Sequence, residues 1–248
     1  MIRARGLRFA YPDGRVALES VDVDVLEGER VALLGPNGAG KTTFMLHLNG
    51  LLRGEGDLEV AGLGAGDRAL RERVGLVFQD PDDQLFMPTV GEDVAFGPLN
   101  LGAASDEATA RVEAALREVR MEHVAERAPH QLSLGQRRRV AIATVLAMDP
   151  ALLVLDEPSA SLDPRARREL LDVLERIPAT LLVVTHDLPF AAELCERAVI
   201  LSGGRIAADG TCAALLGDAA LLARHDLELP AGFDPAAVRR RERASGVR

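Results

Sequence analysis

The stretch Gly35-Pro36-Asn37-Gly38-Ala39-Gly40-Lys41-Thr42-Thr43 decides the expected fold. It follows a β-type run, Arg30 to Leu34, and precedes apolar residues at helical spacing, namely Phe44, Met45, Leu46, Leu48 and Leu51. Its glycines allow consecutive backbone N–H groups to point at phosphate oxygens, and the following helix presents its positive end to the same ligand. The pattern G-x-x-x-x-G-K-[ST] predicts that Lys41 reaches the β- and γ-phosphates of a nucleotide and that the Thr42 hydroxyl binds magnesium.

Two observations favour a phosphate-binding loop over an ordinary glycine-rich turn. At average composition the pattern occurs by chance in about 1% of chains of this length. Lys41 is the only lysine among the 29 lysine and arginine residues of the chain. A compact ammonium acts on phosphate as a point charge, whereas a guanidinium is a planar fork. We therefore predict nucleotide binding by the whole stretch from Gly35 to Thr43.

Two more apolar runs are expected to end at the same edge of a parallel sheet. The run from Ala151 to Leu155 leads into Asp156-Glu157, and the run from Leu181 to Val184 leads to His186. Such runs are typical of strands buried on both faces, and ligands of open α/β sheets bind at the carboxyl ends of the strands. We expect Asp156 to hold magnesium through water, Glu157 to accept the proton of an attacking water, and His186 to donate to the γ-phosphate.

The composition of the chain excludes several other classes of protein. The chain has 248 residues, of which 48% are hydrophobic, so it can bury one substantial core and is expected to form a single domain. A formal net charge of -9 argues against a protein that grips nucleic acid through its phosphates. The longest apolar stretches fall short of the ~20 residues of a membrane span, and the amino terminus does not resemble a secretory signal. We expect a cytoplasmic location, with no nucleic acid among the partners.

The stretch Leu132-Ser133-Leu134-Gly135-Gln136 resembles the LSGGQ signature motif of ATP-binding-cassette ATPases, and it precedes the predicted magnesium strand as in that family. The resemblance implies that two nucleotide domains meet head to tail, so that Ser133, Gly135 and Gln136 close over the ATP of a second protomer. It also implies that Tyr11 stacks on adenine, that Gln79 senses magnesium and the attacking water, and that Asp163 lies in a loop coupling the two sites. Leu134 departs from the pattern, because the family has its first glycine there.

The expected architecture is an α/β fold, a P-loop NTPase core with a mainly parallel sheet, an antiparallel β subdomain and an inserted helical lobe. A single domain over residues 1–248 would have its core in 1–82 and 149–217, its helical lobe with the signature motif in 83–148, and a short tail in 218–248. From Leu229 onward we expect a short helix with a solvated, arginine-rich end. For Arg137 to Arg139 we expect a mixture of solvated side chains and pairing on the phosphate side.

The acidic stretch Gln79-Asp80-Pro81-Asp82-Asp83-Gln84-Leu85-Phe86 resembles the ATPases of energy-coupling-factor importers and of related cobalt and nickel uptake systems. The resemblance implies that an integral membrane coupling subunit docks an arginine-bearing helix near Asp80, Asp82, Asp83, Leu85 and Phe86. The alternative is that these aspartates only form a turn and cap a helix. A substrate-binding membrane subunit would be contacted indirectly, and the chain would lie on the cytoplasmic face of the cell membrane as a peripheral subunit.

The leading hypothesis is therefore an ATP- and Mg²⁺-dependent ATPase subunit that powers such an importer, most readily for cobalt or nickel ions and alternatively for a vitamin. The second protomer is either another copy of this chain or a close paralogue. Two other classes are weighed against it. A non-transport cassette ATPase would need a long coiled coil or a second cassette, and neither is present in this sequence. A small-molecule kinase would leave the signature stretch and the Asp163 loop unexplained.

Overall fold

A computed structural model of the chain describes residues 1–238. The arginine-rich stretch at positions 239–243, for which a solvated helix end is predicted, lies outside the described residues. The strands within 1–238 are β1 (Ile2–Ala10), β2 (Val16–Val25), β3 (Arg30–Leu34), β4 (Glu55–Val60), β5 (Leu63–Gly64), β6 (Val74–Val77), β7 (Leu152–Asp156), β8 (Thr180–Val184), β9 (Arg197–Ser202) and β10 (Arg205–Thr211).

These strands form one curled mixed sheet with the order β5-β4-β1-β2-β10-β9-β3-β8-β7-β6. The strands β9, β3, β8, β7 and β6 run parallel to one another. The strands β2, β1, β4 and β5 pair antiparallel, and β9 and β10 form the predicted closing hairpin. The parallel core and the antiparallel β region therefore match the architecture predicted from the sequence.

The helices of the described residues cover both faces of the parallel strands. They are α1 (Lys41–Leu48), α2 (Leu70–Arg73), α3 (Val90–Asn100), α4 (Ser105–Glu118), α5 (Leu134–Leu146), α6 (Pro164–Leu174), α7 (Leu188–Leu194), α8 (Cys212–Gly217) and α9 (Ala219–Arg224). Helices α3, α4 and α5 fall within the segment predicted to form the helical lobe. Two of these helices begin with a capping box. Thr89 and Glu92 form the box at α3, and Ser133 and Gln136 form the box at α5.

Alternate residues of the central strands enter two separate hydrophobic clusters. In β7, Leu153 and Leu155 pack in the cluster that contains α3 to α7, whereas Leu152 and Val154 pack in the cluster that contains α1 and the β region. All five residues of β3, β7 and β8 are buried. Burial on both faces explains the continuous apolar runs, and it fixes the strand ends that carry the polar site residues.

Two local expectations are wrong. Leu51 does not continue the helix after the phosphate loop, because α1 ends at Leu48 and Leu51 is exposed. The stretch from Leu229 to Val238 does not form a helix but a single 3₁₀ turn at Pro235–Ala237. Two prolines and a glycine interrupt this stretch, while Leu229 and Phe233 hold it against the larger hydrophobic cluster.

Candidate nucleotide-binding site

The loop between β3 and α1 wraps tightly, as its glycines predict. Gly35, Gly38 and Gly40 have φ angles of 148°, 78° and 105°, a region that residues with a Cβ rarely adopt. A Cβ on Gly35 would collide with the Leu201 carbonyl oxygen, and one on Gly40 would collide with that of Ala17. Both glycines are therefore required by close packing against neighbouring strands as well as by the loop conformation.

Lys41 begins α1 and is only 8% exposed. Its Nζ donates to the carbonyl oxygens of Gly35 and Pro36 at 2.7 and 3.0 Å, so the ammonium lies inside the loop. Burial lowers the pKa of Lys41, and the negative charges of Glu157 and Asp156 oppose that shift. The two carbonyl oxygens accept hydrogen bonds from this buried cation but do not neutralise its charge. A phosphate group bound in the loop would do both.

Asp156 ends β7 opposite the phosphate loop. The Thr42 hydroxyl donates to Asp156 Oδ2 at 3.4 Å, which brings together two of the predicted magnesium ligands. Burial raises the pKa of Asp156, and the neighbouring Glu157 charge raises it further. Within residues 1–238 no group of three or more His, Cys, Asp or Glu side chains could hold a metal alone. The oxygens of Thr42 and Asp156 fit Mg²⁺, which is commonly bound by few protein oxygen ligands together with substrate phosphates and water.

Glu157 and His186 are brought into contact. The His186 Nδ1 and backbone N lie 2.7 and 3.1 Å from Glu157 Oε1, and the Thr185 hydroxyl donates to Glu157 Oε2 at 2.9 Å. Glu157 is 8% exposed, whereas the His186 side chain is 66% exposed. Glu157 has a left-handed backbone with φ 45°. The carboxylate is thus fixed by donors, beside an imidazole that can turn toward a ligand.

The remaining residues predicted for this site are also close by. Gln79 and Tyr11 line a cavity of about 310 Å³ together with the phosphate loop, Asp156 and Glu157. The Tyr11 hydroxyl lies 2.9 Å from the Thr43 hydroxyl, and the Arg15 guanidinium lies 4.8 Å above the Tyr11 ring. Arg15 was not predicted as a site residue. A base that stacks on Tyr11 would meet its charge as well.

The signature residues form a second, separate group. Ser133, Gly135, Gln136 and Asp163 line another cavity of about 450 Å³, and none of them lines the phosphate-loop cavity. Asp163 accepts hydrogen bonds from two backbone N–H groups at the start of α6. A Cβ on Gly135 would lie 2.8 Å from the Ala166 Cβ, so this glycine permits the contact between α5 and α6. Within one chain the predicted site residues therefore form two separate groups, which we call half-sites. His186 lines neither of these two cavities but a third one, which it shares with Glu157 of the phosphate-loop group.

The prediction for the three arginines after the signature motif is wrong in part. Arg138 is 2% exposed and donates to the carbonyl oxygens of Glu157 and Ala160. Arg139 forms an ion pair with Glu169 at 3.2 Å. Arg137 forms one with Asp82 at 3.2 Å. Helix α5 lies against the core, so these side chains meet protein groups and do not form a solvated face.

A second network holds the segment that carries His186. Asp187 caps α7, accepts from the Ser159 hydroxyl at 2.8 Å, and forms an ion pair with Arg167 at 3.3 Å. Arg167 also pairs with Glu193 at 3.0 Å. The sequence alone contains no signal for these contacts, because their partners come from three different elements. The network ties the loop after β8 to α6 and α7.

The aspartates of the acidic stretch have local structural roles. Asp80 caps a 3₁₀ turn at Pro81–Asp83, with its Oδ1 accepting from the Asp82 backbone N at 3.0 Å. Asp82 pairs with Arg137 while its side chain stays 60% exposed, and Asp83 is exposed as well. The next side chain in this stretch, Gln84, donates to Ala141 O on α5 at 2.9 Å. The turn-and-cap alternative therefore accounts for Asp80, and all three aspartates remain exposed.

Leu85 and Phe86 are both predicted to contact a docking helix, and this prediction is wrong for Leu85. Leu85 is buried in the core, whereas Phe86 is 62% exposed. Phe86 packs edge-on against Phe96 at 4.9 Å, and Leu99 and Leu101 are also exposed. We call these four residues, Phe86, Phe96, Leu99 and Leu101, the apolar surface. It lies on and around α3.

These features define a P-loop nucleotide hydrolase with a carboxylate pair after β7 and a signature-bearing helix. The family model described as "ABC transporter" matches residues 18–160. The chain belongs to the ABC transporter ATPase family and is an ATP hydrolase whose reaction is coupled to transport. No helix of the described residues is long and apolar enough to cross a bilayer.

Three curated relatives extend along nearly the whole chain. A Streptomyces coelicolor protein named only as an ABC transporter ATP-binding protein is 63% identical over 94% of this chain and 92% of its own length. The cobalt import ATP-binding protein CbiO of Rhodobacter capsulatus is 46% identical, covering 100% of this chain and 92% of the relative. The energy-coupling factor transporter ATP-binding protein EcfA of Methanothermobacter thermautotrophicus is 44% identical, covering 94% and 78%.

Two solved structures share the fold. CbiO1 of Clostridium perfringens, part of the transporter complex CbiONQ, has a TM-score of 0.81 and 35% identity, with 92% of this chain and 95% of that chain covered. The cassette MJ0796, solved as a dimer with ADP and phosphate, has a TM-score of 0.75 and 28% identity, with 86% and 99% covered. The similarity is therefore to ATP-binding subunits of transporters throughout the chain.

Proposed function

We propose that this chain is the ATP-hydrolysing subunit of an energy-coupling-factor importer whose cargo is cobalt or nickel ions. The relatives named EcfA and CbiO support the importer type, and the CbiO name supports a metal cargo. A vitamin is the alternative cargo within the same type. The chain would bind to the cytoplasmic face of the membrane as a peripheral subunit.

The proposed reaction assigns roles to residues in and beside the phosphate-loop cavity. Residues 35–43 hold the phosphates of ATP, with Lys41 on the β- and γ-phosphates, and Tyr11 stacks on the adenine. Thr42, Asp156 and Gln79 hold Mg²⁺, which supplies charge neutralisation at the phosphates when bound. Glu157 accepts the proton of the attacking water, and His186 donates to the γ-phosphate.

The second half-site would act on the ATP of another protomer. Ser133 caps α5, so the amide-rich start of that helix, with Gly135 and Gln136, would approach a γ-phosphate from the partner side. Asp163 would lie between the two ATP sites. The separation of the two half-sites within one chain supports a head-to-tail dimer, formed either by two copies or with a close paralogue.

The apolar surface carries the proposal that the chain docks on a membrane subunit. Four large exposed apolar side chains lie beside the segment that begins at Gln79, which lines the nucleotide cavity. Exposed apolar clusters rimmed by charge mark interaction sites, and Asp83 and Asp80 provide an acidic rim. Buried Asp93 supports the arrangement, since its Oδ1 accepts from the backbone N of Phe86 and Met87 at 3.0 Å. An arginine-bearing helix fits this surface by charge and apolarity.

A transport assay tests the cargo. Cells lacking the gene for this chain would be complemented with the wild-type chain or with the Glu157→Gln variant, and uptake of labelled cobalt and nickel would be measured. We expect uptake only with the wild-type chain. Restoration of vitamin uptake alone would move the assignment to the alternative cargo, and restoration of neither would remove the importer role.

A further inference from the structure

Arg138 connects the signature helix to the backbone of the proposed catalytic base. It is the fifth residue of α5, five positions after Ser133, and is 2% exposed. Its Nη1 donates to Glu157 O at 2.8 Å, and its Nη2 donates to Ala160 O at 3.3 Å. The guanidinium therefore bonds two carbonyl oxygens in the first half of the loop that follows β7, which runs from Glu157 to Asp163.

Burying the Arg138 guanidinium carries a desolvation penalty. Burial lowers the pKa of Arg138, while the charges of Asp80, Glu157 and Asp156 oppose the shift. Its Nε has no hydrogen-bond partner within the part of the chain that the structure describes. An apolar side chain of similar length would avoid this desolvation, as replacements of buried ionic groups in other proteins do. The two carbonyl contacts are thus the specific feature that an arginine provides here.

The loop that Arg138 holds has an unfavourable backbone. Glu157 has φ 45° and Ser161 has φ 60°, values that residues with a Cβ seldom adopt. Glu157 N donates to Val184 O at 2.8 Å, and Glu157 O accepts from Arg138, so both polar groups of this residue are restrained. Such restraint is needed because an unfavourable conformation persists only when the surroundings determine it. It directs the Glu157 carboxylate to Thr185, His186 and the phosphate-loop cavity.

We propose that Arg138 is a positioning residue that holds Glu157 in its reactive orientation. It would also join the two half-sites mechanically, because Arg138 lies in α5 and Ser133 caps that helix. Ser133 would face the ATP of the other protomer, whereas Glu157 would serve the ATP of its own chain. This inference rests on the roles proposed for Glu157 and Ser133. Arg138 touches neither nucleotide nor water in this scheme, so its effect reaches the reaction only through Glu157.

Arg30 provides a matched control within the same chain. It is 7% exposed, and its Nη2 donates to two backbone carbonyl oxygens, those of Glu175 and Ile177, at 2.8 and 3.0 Å. It begins β3, whereas the phosphate loop follows the other end of that strand. Removing Arg30 therefore removes the same kind of buried contact at the edge of the sheet remote from ATP.

The test compares Arg138→Met, Arg138→Lys and Arg30→Met in the full chain. Steady-state ATP hydrolysis gives kcat and KM, and thermal unfolding gives Tm. We expect Arg138→Met to lower kcat about 10- to 100-fold, the effect of a small misplacement of a catalytic group, with KM for ATP within about 2-fold of wild type. Arg138→Lys should recover part of kcat. Arg30→Met should change Tm by about as much as Arg138→Met does and leave kcat within about 2-fold of wild type.

Equal losses of kcat in Arg138→Met and Arg30→Met at matched Tm would overturn the inference, since both would then reflect general destabilisation. If Arg138→Met does not fold, Arg138→Lys carries the test, and wild-type kcat in that variant would also overturn it. We expect the double variant Arg138→Met, Glu157→Gln to form an ATP-bound dimer. Failure to form that dimer would overturn the inference, because Arg138 would then act on the signature helix and not through Glu157.

The Glu157→Gln variant separates this inference from the proposed function. Full hydrolysis by Glu157→Gln would remove Glu157 from its proposed role and the basis of this inference with it. An inactive Glu157→Gln variant together with a fully active Arg138→Met variant would leave the proposed function intact and reject only the role of Arg138.

Discussion

At the scale of single residues, the site places two carboxylates and one ammonium in a small buried volume. Lys41, Asp156 and Glu157 are each less than a tenth exposed. Their mutual charges act through a medium that screens less than water, so the two carboxylates act on the pKa of Lys41, and Lys41 and Glu157 act on the pKa of Asp156. Burial lowers the pKa of Lys41, whereas burial and the neighbouring Glu157 charge together raise the pKa of Asp156.

Glu157→Gln keeps the size of the side chain and removes the proposed base. We expect kcat for ATP hydrolysis to fall about 10²- to 10⁴-fold, the usual effect of losing general base catalysis, while ATP binding persists. Steady-state hydrolysis and gel filtration with ATP measure the two properties, and the variant should accumulate as an ATP-bound dimer. Hydrolysis at the wild-type rate would exclude Glu157 as the base.

Asp156→Asn should stabilise the free chain while it weakens Mg²⁺ binding. Because the pKa of Asp156 is raised by folding, its stabilising contribution is complete below the unfolded pKa and is lost as pH rises through the folded pKa. At neutral pH the ionised carboxylate therefore costs stability. We expect the neutral amide to raise Tm by about 2–4 °C, corresponding to about 1 kcal/mol in a chain of this size.

The same variant gives a pH test. Calorimetry with Mg²⁺ and a non-hydrolysable ATP analogue should show weaker Mg²⁺-dependent binding by the wild-type chain as pH falls toward the raised pKa, because protons compete for Asp156. Asp156→Asn should bind weakly at every pH. A wild-type affinity that stays constant over the acidic range, or an Asp156→Asn chain with full Mg²⁺ dependence, would count against this carboxylate as a ligand.

At the scale of elements, α5 and α6 pack closely at Gly135. A methyl group there would lie 2.8 Å from the Ala166 Cβ, so Gly135→Ala should destabilise the chain by about 1–3 kcal/mol through overpacking. Gly217→Ala is the control, because Gly217 ends α8 with no atom within 4 Å of an added Cβ. Denaturant unfolding gives the free energies, and ATP hydrolysis is measured in parallel.

The double variant Gly135→Ala, Ala166→Gly decides which role this glycine has. Removing the Ala166 methyl group relieves the contact, so stability should return toward wild type. If ATP hydrolysis stays low in this stable double variant, Gly135 is needed for the approach of a phosphate as proposed. Recovery of hydrolysis together with stability would reduce its role to packing.

The helices and strands are largely predictable from the sequence, because most of them are specified by local sequence patterns. The phosphate loop and the strands before Asp156 and His186 are specified by continuous stretches whose pattern needs no distant partner. Arg138 and Leu85 were not predictable, since the burial of both depends on elements remote in sequence. A charged side chain in a helix is usually solvated, and only the contact of α5 with the loop after β7 reverses that expectation.

The division of the chain into parts stays a prediction. Helices α3 to α5 belong to one continuous hydrophobic cluster with α6, α7 and one face of the parallel strands. Packing of this kind joins the predicted lobe to the core, and the boundaries at 83 and 148 correspond to no break in it. The site assignments likewise stay proposals until the variants above are measured.

At the scale of the whole molecule, the roles that we propose for the two half-sites require a dimer. A mixture of Lys41→Ala and Ser133→Arg chains tests this directly, because a mixed head-to-tail dimer contains one complete site and one doubly damaged site. Each variant alone should be nearly inactive. Random mixing should restore about a quarter of wild-type hydrolysis, since half the dimers are mixed and each has one of two sites intact. Activity that stays at the level of the single variants would contradict a homodimer of this arrangement.

The most direct measurement of the central claim is purification of the tagged chain from detergent-solubilised native membranes, followed by mass spectrometry of its partners. Phe96→Asp places a charge in the apolar surface, and Leu26→Asp places one at another exposed leucine, 64% accessible, outside that surface. We predict that the wild-type chain and Leu26→Asp recover an integral membrane coupling subunit, and that Phe96→Asp recovers at least about 10-fold less, as expected for the loss of a central apolar contact. Recovery of the chain alone, or of ribosomal or DNA-repair proteins in place of a membrane subunit, would contradict the account.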